Sequence, residues 1–113
     1  DGAFHGRTYA TINAAGNASY IEGFGPRLPG YVQAAFGDWD DLKSKMGPKT
    51  AAVVIEPVQG EGGARSLSNA QLEELRAICT NAGVLLIYDE VQCGMGRTGK
   101  MFAYEWANGA EPD

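Results

Sequence analysis

Four carboxylates and two amides fall in two short segments, each directly after an apolar run. Ala51-Ala52-Val53-Val54-Ile55 leads into Glu56-Pro57-Val58-Gln59-Gly60-Glu61-Gly62-Gly63, and Val84-Leu85-Leu86-Ile87-Tyr88 leads into Asp89-Glu90-Val91-Gln92. Such groups can hold a cation, position a proton or grip a polar ligand, provided the chain brings them together. Continuous apolar runs rich in β-branched side chains predict strands covered on both faces, as in parallel sheets. Between the runs, Ser68 and Gln71 fit a capping box and Leu72, Leu75, Ile78, Cys79 and Ala82 line one helical face. Gly83 stands where a left-handed residue closes a helix. Strand, helix and strand make a βαβ unit, whose crossover is expected to be right-handed. Ligands of open α/β sheets bind outside the carboxyl ends of parallel strands, so the two acidic segments should face each other there. The acids repel unless a cation, a metal or a ligand's positive charge sits among them.

The elements around this unit are less regular. Arg7 to Ala15 predicts a short helix ended by Gly16, and Asn17 to Gly30 reads as loop. Val32 to Phe36 predicts a short strand. Asp38 to Met46 predicts a helix, with Trp39, Leu42 and Met46 on one face and Gly47-Pro48 as the stop. The chain has 113 residues, enough for one small core, with 44% hydrophobic and 20% charged residues. Its net charge of -5 argues against a nucleic-acid partner. Cys79 and Cys93 form no CxxC pair, so neither a disulfide scaffold nor a zinc site is implied. No apolar run approaches transmembrane length and no signal-peptide pattern opens the chain, so a reducing, cytoplasmic setting is expected and no membrane partner. The start at Asp1 without Met, and the stop at Glu111-Pro112-Asp113, read as the ends of an internal piece of a longer protein.

Three chemistries fit the acidic edge. Gly94-Met95-Gly96-Arg97-Thr98-Gly99-Lys100 matches GxxxxGK, but Met101 follows where a phosphate-binding loop needs Ser or Thr, and the order of strand and loop is wrong. A metal could be held by Glu56, Glu61, Asp89 and Glu90 with His5, yet no metal-binding spacing supports it, and these acids could pair with Arg7, Arg65 or Arg97 instead. The third rests on a series in fixed order: Ala3-Phe4-His5-Gly6-Arg7-Thr8, Gly23-Phe24-Gly25-Pro26, Glu56 to Gly63, and Asp89 to Lys100. This series resembles the class III pyridoxal-phosphate-dependent aminotransferases, and within them the acetylornithine-type branch.

The resemblance implies an α/β fold, with residues 1–113 forming part of the large cofactor-binding domain of a fold-type-I enzyme, truncated at both ends, with a mostly parallel sheet flanked by helices. It implies pyridoxal 5'-phosphate as cofactor. That group is an electron sink whose ring nitrogen must stay protonated. Asp89, at a strand tip, would hold that proton. If the strand stays extended, Val91 lies on the same side and packs on one ring face, with Phe4 on the other. Gln92 would hydrogen-bond the ring's phenolic oxygen. Glu90 belongs to the cofactor-binding stretch by position, although its side chain is expected to point away from Asp89. Arg7 would take the substrate α-carboxylate, and Glu61 would stand near the substrate amine. The implied reaction moves the terminal amino group of N-acetylornithine to 2-oxoglutarate, in arginine biosynthesis, in a homodimer. Sister enzymes acting on ornithine, 4-aminobutyrate or succinyldiaminopimelate remain alternatives, as does a non-catalytic module of the same shape.

Each residue also has a plainer reading. Asp89-Glu90 alone reads as a loop cap, Phe4 as core, Arg7 as a surface or ion-pair residue and Cys93 as a packing residue. Lys100 is expected to be exposed, and Lys43, Lys45 and Lys49 lie in a polar helix-end context. The lysine that carries the cofactor in the resembling family would follow Asp113, and the phosphate-cradling loop would precede Asp1. The isolated chain is therefore expected to be inactive.

Overall fold

The computed structural model describes residues 1–113. Strand β1 (Ala52–Ile55) pairs in parallel with β4 (Leu85–Tyr88), Ala52 facing Leu85 and Ile55 facing Tyr88. Helix α4 (Asn69–Ala82) joins them, as the apolar pattern predicts. The Ser68 hydroxyl accepts the Gln71 N–H at 3.2 Å, and Gln71 Oε1 accepts the Ser68 N–H at 2.9 Å. Gly83 closes the helix at φ 67°, a conformation that any β-carbon would strain. Leu72, Leu75 and Cys79 of α4 bury against Val84 and Leu86, and Trp39, Leu67, Ala107 and Ala110 complete the core.

Two expectations about this unit need correction. Ala82 is exposed, because it lies in the last turn of α4, where the chain is already reversing toward β4. The sheet is covered on one face only: Val54, Leu85 and Ile87 remain 47%, 53% and 42% exposed. The alternation of side chains along each strand sends these three away from α4, and these 113 residues supply no second helical layer there. The β1-to-α4 connection also holds a small antiparallel hairpin, β2 (Val58–Gln59) with β3 (Arg65–Ser66).

The amino-terminal half follows its capping signals. Helix α1 (Tyr9–Ala15) starts at Thr8, which accepts the Thr11 N–H, and ends at Gly16 with φ 74°. A one-turn helix, α2 (Ala18–Ile21), capped by Asn17, stands inside the stretch expected to be loop. Helix α3 (Trp39–Lys45) starts at Asp38, whose carboxylate accepts the Asp40 and Asp41 N–H groups. Residues 32–36 are not a strand. No neighbouring strand meets them; instead the Ala35 N–H donates to Asp41 Oδ2 at 2.7 Å and the Phe36 N–H to Asp1 Oδ1 at 3.2 Å. Side-chain acceptors have taken the donors a ladder would have used.

Candidate active site at the carboxyl edge of the sheet

Asp89 stands one residue past β4. Its N–H donates to Ile55 O at 2.9 Å, the last bond across to β1. Its side chain then turns back: Oδ1 accepts the Val91 N–H at 3.2 Å, and Oδ2 accepts from His5 Nδ1 at 2.8 Å. An ionised carboxylate can only accept, so the proton of this pair is assigned to Nδ1. The His5 and Asp89 side chains are 9% and 19% exposed. A charge-assisted bond in such surroundings is stronger than the same bond in open water.

His5 arrives beside Phe4 on the segment preceding α1. The Phe4 N–H donates to Glu56 Oε1 at 2.8 Å, and Glu56 is buried at the tip of β1. Burial pushes the Glu56 carboxyl above the usual glutamate range; the Phe4 N–H and His5 oppose the rise and Asp89 adds to it. Adjacent residues of one segment are thus tied to the tips of both parallel strands.

The two edge loops meet at Gly60 and Gln92. A β-carbon at Gly60 would collide with Gln92 Oε1 and come within 2.9 Å of its Cδ. A side chain at Gly60 would therefore require the Gln92 amide to shift. Cys93 is buried and its thiol is pushed up by burial, which fits a packing role and not a reactive thiolate.

The other residues singled out from the sequence divide. The extended geometry does not persist past Tyr88: the Asp89 carboxylate on the Val91 N–H makes a turn, and Val91 stands 92% exposed. Strand alternation therefore gives no reason to place Val91 with Asp89. Glu90 points elsewhere, its Oε2 and Oε1 accepting the Ala103 and Tyr104 N–H groups at 2.6 and 3.0 Å at the start of a 3-10 helix, Ala103–Trp106. Its carboxylate braces the loop. Glu61 is exposed in the turn between β2 and β3. Lys100, expected to be exposed, is half-buried, donating to Glu105 O at 2.7 Å with its ammonium 4.8 Å from the Trp106 ring centroid. Lys43 and Lys45 pair with Asp40 and Asp41 on α3. The glycines of residues 94–99 lie in consecutive turns and bends.

Phe4 is half-buried and outside the main core cluster. Its ring meets Tyr20 edge-on at 6.4 Å between centroids. The exposed Arg7 guanidinium carbon lies 5.7 Å from the Phe4 centroid and 4.9 Å from the Tyr20 centroid. Arg7 is a surface residue, one of its two plainer readings, and no ion pair, the other, includes it. Sequence reasoning weighed His5 only as a metal ligand and passed over Tyr20. The signal for His5 was available, because the chain has a single histidine and it adjoins Phe4.

The aminotransferase class-III family model matches residues 1–113. Acetylornithine aminotransferase 2 of Caulobacter vibrioides is 67% identical over 113 residues, covering 99% of this chain and 28% of that protein. Acetylornithine aminotransferase of Mesorhizobium japonicum is 57% identical, covering 100% of this chain and 28% of its own length. The chain thus spans under a third of these curated relatives. The crystal structure of the ornithine aminotransferase from Toxoplasma gondii superposes with a TM-score of 0.86 at 32% identity, over 93% of this chain and 25% of that one. The matched family model and the superposed fold agree: the chain belongs to the class-III aminotransferases, pyridoxal-phosphate enzymes of fold type I, and carries part of that fold.

Proposed function

We propose that the protein containing this chain transfers the terminal amino group of N-acetylornithine to 2-oxoglutarate, a step of arginine biosynthesis, as a cytoplasmic homodimer. The observation that carries the reading is Asp89 at the tip of β4, fixed on one side by His5 and on the other by a backbone N–H. The donor is inferred from the names of the relatives at 67% and 57% identity.

The residues present fit the cofactor. They place a carboxylate, an aromatic ring and an amide around one sheet edge, with Gly60 leaving Gln92 in place. Bound there, pyridoxal phosphate supplies a protonated ring into which electrons from the substrate carbon can flow. Asp89 would hold the ring nitrogen's proton, and His5, hydrogen-bonded to the carboxylate, would keep it from rotating. Phe4 and, by the family resemblance alone, Val91 would cover the ring faces, and Gln92 would hydrogen-bond the phenolic oxygen. Glu90 acts through the backbone it caps. Arg7 takes the substrate carboxylate, and Glu61 stands near the amine being transferred. A lysine near this edge would be needed to carry the cofactor; Lys43, Lys45 and Lys100 are engaged elsewhere and Lys49 is exposed in the turn after α3. We therefore expect the isolated 113-residue chain to be inactive.

The test is amine-donor competition on the full-length protein, with Asp89→Ala beside it. N-acetylornithine should outcompete ornithine and 4-aminobutyrate, and Asp89→Ala should abolish turnover. A colourless purified protein, or an Asp89→Ala variant with unchanged turnover, would refute the reading.

A further inference from the structure

Arg7 is an exposed cation held by two aromatic rings instead of a carboxylate. Its guanidinium carbon lies 4.9 Å from the Tyr20 centroid and 5.7 Å from the Phe4 centroid, and the two rings meet edge-on. A π face attracts the guanidinium without using its N–H donors, whereas a carboxylate neighbour would occupy them and cancel the charge. Phe4 is fixed by its N–H on buried Glu56. Tyr20 is fixed by α2, the one-turn helix that the loop-like composition of residues 17–30 does not foretell. Asn17 caps that turn and Ile21, next to Tyr20, is buried. The local fold therefore delivers a second ring to a residue that already has one.

We propose that Tyr20 is the positioning residue for Arg7: it fixes the guanidinium and keeps its donor edge open for a ligand carboxylate. This inference rests on the reading of Arg7 as the carboxylate-binding group. It makes Tyr20 a determinant of selectivity for donors that carry a carboxylate over amines that lack one.

The test uses the full-length holoenzyme and three compounds. N-acetylornithine carries both amine and carboxylate. N-acetylputrescine keeps the amine and lacks the carboxylate. N-acetylnorvaline keeps the carboxylate, lacks the amine and cannot react, so its Kd is read by calorimetry. Tyr20→Leu should raise KM for N-acetylornithine and the Kd for N-acetylnorvaline by about 3- to 30-fold, the range of a cation–π contact from exposed to desolvated. It should leave kcat, the cofactor absorbance and all kinetics with N-acetylputrescine within about twofold of the parent. Tyr20→Phe keeps the π face and should behave as the parent; Tyr20→Gln takes the place of the Leu variant if that one does not fold. Equal losses with both amines, an unchanged Kd for N-acetylnorvaline, or a Tyr20→Phe variant as impaired as Tyr20→Leu would overturn the proposal. Arg7→Gln separates the two levels. If it weakens N-acetylnorvaline and Tyr20→Leu does not, only the role of Tyr20 falls; if Arg7→Gln has no effect, the assignment of Arg7 falls and that of Tyr20 with it.

Discussion

Replacing His5 with Leu removes one bond from Asp89 while leaving an apolar side chain in its place. The bond is short, 2.8 Å, and its two side chains are 9% and 19% exposed. A hydrogen bond to a charged group in such a setting contributes about 1.5–3 kcal/mol, or roughly 10- to 150-fold. The lower part of that range is expected here, because the Val91 N–H still holds Oδ1 and the carboxylate is not left without a partner. In the full-length enzyme, His5→Leu should therefore weaken cofactor binding and lower kcat by a combined factor of about 10 to 30. Cofactor affinity is read by titrating the visible absorbance of apoenzyme and kcat by steady-state turnover. His5→Gln, which keeps an N–H donor, should recover part of the loss. If His5→Leu stays within about twofold of the parent in both quantities, the pair does not position Asp89 and the argument built on it is wrong.

Gly60→Ala drives a β-carbon into Gln92 and should weaken cofactor binding in the full-length enzyme. The double variant with Gln92→Ala should lose less than the two single losses added, as contacting residues do, and strict additivity would show that no clash exists. Glu56→Gln tests a sign: burial raises the Glu56 pKa, so the stability it contributes is complete below the ordinary glutamate value and fades as pH rises through the raised one. The variant should gain on the parent in urea unfolding as pH rises above the ordinary glutamate value, and a gap constant with pH would contradict the burial argument. Leu75, fully buried where α4 meets β4, should cost about 2–5 kcal/mol when cut to Ala, read as a fall in the urea midpoint of the intact protein. A loss under about 1 kcal/mol would mean that α4 is not packed as described.

The βαβ unit was legible because each of its signals has a short physical range. Capping at Ser68 and Gln71 and the left-handed close at Gly83 need only a few neighbouring residues. The segments that misled are those whose structure depends on distant partners. Residues 32–36 carry Val32 and Phe36 as β-formers, but the Ala35 and Phe36 N–H groups end on Asp41 and Asp1, which no local pattern reveals. The hairpin of Val58–Gln59 with Arg65–Ser66 is too short to carry a period, and α2 is a single turn that only Asn17 announces. The strand period likewise says nothing once a side chain begins to cap its own backbone, which is why Val91 could not be placed from Asp89. At the site, the residue types were readable and their pairing was not, since His5 and Asp89 are 84 positions apart.

The crowding of acids at the sheet edge is resolved differently from the sequence expectation. Glu56 accepts from the Phe4 N–H in a buried position, and Glu90 accepts from the Ala103 and Tyr104 N–H groups. Glu61 is turned out to solvent, where water screens it. Most of the apparent negative charge is thus taken up by backbone donors that would otherwise need partners of their own. Asp89 alone is held by a titratable side chain at the mouth of the edge. With Glu56 and Glu90 engaged by backbone donors, Glu61 turned to solvent and Asp89 held by His5 and the Val91 N–H, the fold is spared the repulsion that four free carboxylates at one edge would impose.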